Sequence, residues 1–304
     1  MIRPTRRRFL AISAAACAMG TRAGAETRWQ GTALGATARL RLAGLAPEDA
    51  RPVIAGVEAE LHRLEAIFSL YRDGSALRRL NADSRLDAPP PELLEVLSLS
   101  AALHRATHGA FDPTVQPLFA LHALAAGEAR IPTAAEIATA RRALGWDGVT
   151  FDATRIRLVR PGAALTLNGI AQGYITDRIA GLLRARGLTD ILVDAGEIAA
   201  LGHAPDGSGW TAGIARPDGR LVHRLTLADR ALATSAPTGT LPGNLPHIFD
   251  PATGAAARRA SLVSVSAPRA AVADGLSTAL CALPHARHAA ALAAFPGARL
   301  EFTL

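Results

Sequence analysis

The hydrophobic periodicity is clearest at Val53, Val57, Leu61, Leu64 and Phe68, whose spacings of four, four, three and four line one side of an amphipathic helix. A second helix is expected from Glu92 to about His108, downstream of the Pro89-Pro90-Pro91 breaker. A third begins at Thr133, where Thr133-x-x-Glu136 reads as a capping box, and stops before Gly145. A fourth spans about Ile170 to Arg186, with Gly187 as its stop. Around them lie short runs of strand character: Ile156–Val159, Ala164–Leu167, Ile191–Val193, Thr211–Ala215, Leu225–Leu227, Leu262–Ser266 and Arg299–Phe302. Several Gly and Pro turns within residues 205–247 suggest an antiparallel meander. Helical and strand segments segregate instead of alternating strictly, so the expected class is α+β and not a doubly wound sheet. No internal repeat and no long low-complexity linker divides the chain, and residues 26–304 read as one unit.

Composition narrows the possibilities. A chain of 304 residues that is 49% hydrophobic can bury a large core and is too apolar for disorder. Two cysteines, Cys17 and Cys281, exclude a disulfide framework and a four-cysteine metal site. All 33 basic residues are Arg, and five of them (Arg3, Arg6, Arg7, Arg8 and Arg22) fall in residues 1–25, which carry no acid. The remainder holds 28 Arg against 26 acids, a net charge of +2. With aromatics at 4% and no basic block interleaved with them, a nucleic-acid partner is not expected. The first 25 residues read as an export signal: a twin-arginine pattern Thr5-Arg6-Arg7-Arg8-Phe9-Leu10, a mildly apolar run from Ala11 to Met19, and a small-residue cleavage site Ala23-Gly24-Ala25. That apolar run is far shorter than the roughly 20 residues a membrane-spanning helix needs, so no stable transmembrane segment is expected. Ala14 stands where a lipobox before Cys17 wants Leu, which argues against lipidation.

Four local clusters carry candidate chemistry. In Thr107-x-Gly109-Ala110-Phe111-Asp112-Pro113-Thr114, glycine allows close backbone approach, Phe111 offers a ring to pack on a flat ligand, and Asp112 is held extended by Pro113. A helix-ending turn with an Asx cap has the same pattern. In Leu165-Thr166-Leu167-Asn168-Gly169-Ile170-Ala171-Gln172-Gly173-Tyr174, a strand runs through glycines into a helix and exposes N–H groups that favour phosphate; a tight β–α turn reads the same way. Its spacing is neither a dinucleotide fingerprint nor a P-loop. The third cluster joins Ala233-Thr234-Ser235 to His247-Ile248-Phe249-Asp250-Pro251-x-Thr253-Gly254, where His247 suits general acid–base work or a phosphate contact and Asp-Pro-x-Thr-Gly is a good type I turn. In the fourth, Ala273-Asp274-Gly275-Leu276-Ser277-Thr278, Asp274 and Thr278 are four apart and share a helix face. A carboxylate and a hydroxyl so placed suit a hard cation such as Mg²⁺, and Asp near a helix start is equally an N-terminal cap. His104 and His108 have no acidic or Cys neighbour to complete a metal site, and no Gly-x-Ser-x-Gly elbow occurs.

In this order and spacing the clusters resemble the ApbE family, the FAD:protein FMN transferases. The resemblance begins at Gly31-Thr32-x-Leu34-Gly35, continues through Phe68-Ser69-x-Tyr71-x-x-x-Ser75-x-Leu77-x-x-Leu80-Asn81, and takes in all four motifs. It implies one α+β unit with an antiparallel sheet, flanking helices and a flavin cleft. It implies FAD as substrate, Mg²⁺ on the pyrophosphate, FMN transfer to a Thr or Ser hydroxyl of an acceptor protein, and release of AMP. Leu34, Tyr71, Ala110, Phe111, Asp112, Thr166, Gln172 and Ile248 match its FAD site. Asp274, Thr278 and the Gly169 carbonyl match its metal ligands, with Ser277 a neighbour in that shell, and His247 matches the His that assists proton transfer.

One departure stands out. The usual Asp-Leu-Gly-Gly-Ile-Ala-Lys-Gly reads Thr166-Leu167-Asn168-Gly169-Ile170-Ala171-Gln172-Gly173, so an opposite-charged pair is replaced by two neutral residues together. This variant, with the twin-arginine signal, is similar to the branch that accompanies nitrous oxide reductase. The expected setting is then the periplasm, with an acceptor flavoprotein of an extracytoplasmic electron-transfer system as partner. Asp250-Pro251-Ala252-Thr253-Gly254-Ala255-Ala256 approaches the acceptor pattern Asp-x-x-(Ser/Thr)-Gly-Ala-(Ser/Thr) but ends in Ala, and it reads as a turn of the site. The alternatives to a transferase are a non-catalytic flavin-binding or delivery protein, which the missing charge pair motivates, and a Mg²⁺-dependent FAD pyrophosphatase.

Overall fold

The computed structural model describes residues 26–238 and 245–304. The expected export signal over residues 1–25, with Cys17, lies outside the described residues. Strands β1 (Glu26–Ala33) and β2 (Ala36–Ala43) form an opening hairpin, followed by α1 (Pro47–Phe68), α2 (Ala76–Asp83), β3 (Arg85–Asp87), α3 (Pro91–Ala106), α4 (Gln116–Gly127) and α5 (Ala134–Arg142). Then come β4 (Val149–Phe151), β5 (Arg155–Leu158), α6 (Ala171–Ala185), β6 (Ile191–Asp194), β7 (Ile198–Leu201), β8 (Trp210–Ala215), β9 (Leu221–Leu227) and β10 (Arg230–Ser235). The chain ends with β11 (Val263–Ala267), α7 (Ala270–Leu280), α8 (His288–Ala293) and β12 (Arg299–Thr303). Seven strands make one sheet in the order β1-β2-β6-β7-β10-β11-β12, with every neighbouring pair antiparallel. A three-stranded sheet (β3-β5-β4) and the β8–β9 hairpin stand apart from it. The α+β expectation holds.

Alternation along the strands explains how the large sheet is buried on both faces. Leu40, Leu42, Val193, Leu201, Ala233, Val263 and Val265 join the main core under the helices. Leu192, Ile198, Ala200 and Leu232 point the other way, into a second core closed by Trp210, Ile214 and Leu227 of the β8–β9 hairpin. Trp210 donates its indole N–H to the Leu201 carbonyl at 2.9 Å, which ties that hairpin to the sheet. The central strands therefore read as continuous apolar runs with no solvent face.

The helical stripe at Val57, Leu61, Leu64 and Phe68 is buried as its spacing predicts, and the Thr133–Glu136 capping box forms with both of its reciprocal bonds. Two strand expectations change. Ala164–Leu167 is not a strand: Asn81 pairs with Leu165 through its side-chain amide, accepting from the Leu165 N–H and donating to its carbonyl, both at 2.8 Å. The side chain occupies the groups a neighbouring strand would need. The meander over residues 205–247 is only partial, because β8 and β9 pair with each other while β10 turns back into the large sheet between β7 and β11. Among the described residues, no helix is long and apolar enough to cross a membrane.

Candidate active site

Helices α6 and α7 pack side by side against the sheet, and the loops at their ends meet the turns after β1, α1, α3 and β10 around one cleft. All twelve residues singled out from the sequence line it: Leu34, Tyr71, Ala110, Phe111, Asp112, Thr166, Gly169, Gln172, His247, Ile248, Asp274 and Thr278.

Local sequence fixes each wall. Ser69 accepts from the N–H groups of Tyr71 and Arg72 at 3.1 and 3.0 Å, which turns the chain after α1 and leaves the Tyr71 ring 52% exposed at the mouth. The Leu34 N–H donates to Glu65 of α1 at 2.9 Å, docking the β1–β2 turn onto the same rim. Asp112 is an Asx cap, accepting from the Thr114 N–H at 2.8 Å and the Thr114 hydroxyl at 2.6 Å, and it also faces the cleft. The Asx cap is formed and Asp112 still lines the cleft, where burial raises its carboxyl above its ordinary value. The Asp250 turn closes with carbonyl and carboxylate contacts to Gly254 and Ala252 at 2.8 and 2.9 Å, and the Ala257 N–H bonds back to the Ile248 carbonyl at 2.9 Å. This small hairpin carries His247 and Ile248 to the cleft, and its Thr253 serves the turn. Burial lowers the His247 imidazole to about 4, so it is neutral at neutral pH.

The floor is built from the start of α6 and the middle of α7. A Cβ on Gly169 would lie 2.8 Å from the Thr278 hydroxyl oxygen, so the glycine backbone and that hydroxyl share one cradle. The Gly173 N–H donates to Asp274 Oδ2 at 3.0 Å. Helix α6 starts its ladder one residue later, with Tyr174 N–H to the Ile170 carbonyl at 2.9 Å. The amide that a longer helix would send to Gly169 thus goes to Asp274, and the helix leaves the Gly169 carbonyl unclaimed. Ser235 links the hydroxyls, lying 2.8 Å from Ser277 Oγ and 3.3 Å from Thr278 Oγ1.

These atoms fit a hard divalent cation. They are all oxygens (one carboxylate, a hydroxyl, a carbonyl), and no group of three or more His, Cys, Asp or Glu suited to a metal forms among the described residues. Mg²⁺ typically takes one or two carboxylates and completes its shell with water and substrate phosphates. Asp274 is 3% exposed with no cationic group against it among the described residues, and burial raises its carboxyl to about 7, with Asp177 adding to the rise. A bound cation would supply the missing positive charge.

Sequence reasoning missed Glu197. It lies in the β6–β7 turn, 8% exposed, and lines the cleft. Burial, then Asp274 and Asp194, push its carboxyl well above the ordinary range. The available signal was an acidic residue next to a strand that is otherwise wholly apolar. With Asp112 and Asp274 it leaves the cleft lined by three carboxylates and no Arg among the described residues.

Asp274 also sets a pH dependence of stability. The folded chain keeps this proton up to about pH 7, whereas an unfolded Asp releases it near 3.8. Between those values the folded state binds more protons, so metal-free stability falls as pH rises through the window and levels off above 7. Denaturant titrations of chelator-treated protein at pH 5 and pH 8 should show the fall, and Asp274→Asn should reduce it, with Glu197 and Asp112 contributing the remainder. Equal slopes in both proteins would refute the assignment.

Comparison with known proteins adds to this geometry. A relative from Treponema pallidum named FAD:protein FMN transferase is 31% identical over 267 residues, covering 78% of this chain and 73% of its own. One of the same name from Klebsiella pneumoniae is 28% identical, covering 86% and 79%. The flavin transferase ApbE from Vibrio cholerae superposes with a TM-score of 0.79 at 29% identity, over 89% of this chain and 91% of that one. The apo flavinyl transferase ApbE from Pseudomonas stutzeri gives 0.75 at 29% identity, over 91% and 89%. The ApbE family model matches residues 19–300, a stretch that contains every residue lining the cleft, and the chain belongs to the ApbE family.

Proposed function

We propose that this protein transfers FMN from FAD to a Thr or Ser hydroxyl of an acceptor protein, with Mg²⁺ and with release of AMP. The observation that carries the reading is the cradle of Gly169, Asp274 and Thr278 on the floor of a cleft whose walls offer flat and apolar side chains. Membership of a family whose named relatives are FAD:protein FMN transferases supports it.

In this reaction the acceptor oxygen bonds to the phosphorus on the FMN side of FAD. The bond from that phosphorus to the bridging oxygen breaks, and AMP leaves with the bridging oxygen. Tyr71, Phe111, Leu34 and Ile248 would hold the flavin by apolar and ring contacts. Thr166 and Gln172 offer neutral hydrogen-bonding groups on the side where the resemblance expects a charge pair. Asp274, Thr278 and the Gly169 carbonyl would hold a divalent ion, which would supply neutralisation of phosphate charge when bound. His247, kept neutral by burial, has one unprotonated ring nitrogen that can take the proton the hydroxyl gives up. Phosphate charge bound beside it would draw its basicity back up. We further propose that the reaction runs in the periplasm after twin-arginine export, on an electron-transfer flavoprotein, because of the Thr5-Arg6-Arg7-Arg8-Phe9-Leu10 pattern.

The test mixes purified protein, FAD and Mg²⁺ with domains bearing the acceptor pattern. The expected result is an FMN mass gain on the acceptor with stoichiometric AMP. FMN and AMP without acceptor would favour a pyrophosphatase, and FAD binding without turnover would favour a delivery protein. His247→Ala should lower kcat by about 10²-fold or more with FAD affinity retained; an unchanged kcat would remove His247 from the chemistry.

A further inference from the structure

Helix α6 makes three successive bonds to the elements that build the cleft. The Gly173 N–H holds Asp274 Oδ2 at 3.0 Å. The Thr176 hydroxyl donates to the Glu197 carbonyl at 3.2 Å. Asp177, one turn beyond Gly173, reaches the first turn of α7: its Oδ1 accepts from the Ala270 N–H at 2.6 Å and its Oδ2 from the Ala271 N–H at 3.1 Å. Those two amides are among the four that open a helix without an intrahelical partner, and the residue at the head of α7, Arg269, gives no side-chain cap. The cap comes instead from a neighbouring helix, 93 residues earlier in the chain. A carboxylate there satisfies two donors and faces the positive end of the α7 dipole.

We infer that Asp177 is a positioning residue for the cation: by capping α7 from α6 it sets the axial register of α7, and with it the distance of Asp274 and Thr278 from Gly169. Asp274 and Thr278 sit four and eight residues beyond the capped Ala270, on the same face of α7. Gly169 precedes α6 by two residues. Two anchors on one helix, the Gly173 amide and the Asp177 carboxylate, therefore hold the two halves of the cradle together. Without the second anchor α7 can slide or tilt while still packed on the sheet. Asp177 is not among the residues lining the cleft, so its positioning effect passes through α7, beside a direct charge repulsion with Asp274 that Asp177→Glu retains.

The inference rests on the reading that Asp274 and Thr278 hold a divalent ion, and the experiment separates the two. Mn²⁺ binding to the full-length protein is measured by calorimetry and by the loss of the free-ion resonance signal, for wild type, Asp274→Ala, Asp177→Asn and Arg269→Ala. Thermal midpoints and kcat against Mn²⁺ concentration are recorded alongside. Asp177→Asn keeps one acceptor and loses the charge. It is expected to weaken Mn²⁺ binding by about 10-fold or more, the range seen when groups orienting metal ligands are removed, and to recover kcat at high Mn²⁺. Arg269 is exposed and 3.7 Å from Asp177, and its removal should leave affinity within about twofold of wild type, as expected for an exposed ion pair. If Asp177→Asn does not fold, Asp177→Glu keeps the charge, displaces it by a methylene and is expected to weaken binding in the same direction. A lower thermal midpoint with unchanged Mn²⁺ affinity in the folded variant would overturn the positioning role. Absence of Mn²⁺ binding by wild type would instead overturn the cation reading itself.

Discussion

Asp274→Ala is expected to reduce flavin transfer by at least about 10³-fold and to abolish saturable Mn²⁺ binding. It removes the one carboxylate of the cradle, and neutralising charge on a transferring phosphoryl group is worth several kcal/mol of barrier, or roughly three decades in rate. The fold should survive. A carboxyl that burial has raised to about 7 opposes folding at pH 8 when no cation is present, and its loss offsets the Gly173 N–H that is left without its acceptor. Thermal midpoints within a few degrees of wild type, together with loss of AMP release, would separate chemistry from unfolding. Thr278→Ala removes a neutral ligand and should be milder. An Asp274→Ala protein retaining a tenth of wild-type turnover would exclude this carboxylate as the anchor of the reaction.

The charge balance of the cleft gives that prediction its weight. Asp112, Glu197 and Asp274 face the space, His247 is held neutral, and no Arg joins them among the described residues. In the proposed reaction a dinucleotide would carry two phosphate charges into this field. With neutral Thr166 and Gln172 on one wall, the proposed divalent ion would supply the positive charge, and dependence on it should be steep.

Much of this site was legible in the chain because each motif is short and stiff. Asp112-Pro113, Gly169 and the Asp250-Pro251 turn have conformations set by a few neighbours, and the i, i+4 spacing of Asp274 and Thr278 fixes a shared face once a helix is assumed. Legibility ends where partners are distant in sequence. The sheet order interleaves β2 with β6 and β7 with β10, and only that order carries Glu197 beneath Asp274. Ala164–Leu167 looks like a strand because its apolar residues are buried, yet its backbone is held by the side chain of Asn81, 84 residues away from Leu165. No local pattern reports that. Asp177 likewise reads as a polar position on a helix, and its bonds to Ala270 and Ala271 appear only when α6 lies on α7.

Gly173→Ala should be the most disruptive substitution of a residue that is not itself a ligand. A Cβ there would lie 2.4 Å from the Ala270 carbonyl oxygen, 2.6 Å from its carbon and 2.7 Å from the Ala271 Cα. All three are backbone atoms of the α7 start, so no rotamer change relieves them, and α6 and α7 must part by several tenths of an ångström. Such overpacking costs about 3 kcal/mol or more, enough to lower the thermal midpoint by several degrees in a chain this size. The same displacement lengthens the Gly173 N–H bond to Asp274 and opens the Gly169–Thr278 cradle. Misplacement by about 1 Å at a reacting centre costs about 10²-fold in rate. The variant should therefore lose transfer activity at temperatures where circular dichroism still reports a folded protein, and high Mn²⁺ should restore only part of it. Gly181→Ala, at a helix position on α6 with open space around its Cα, is the matched control and should leave both stability and activity near wild type. Equal thermal midpoints for the two alanine variants would show that α6 and α7 do not need the close approach on which the cradle depends.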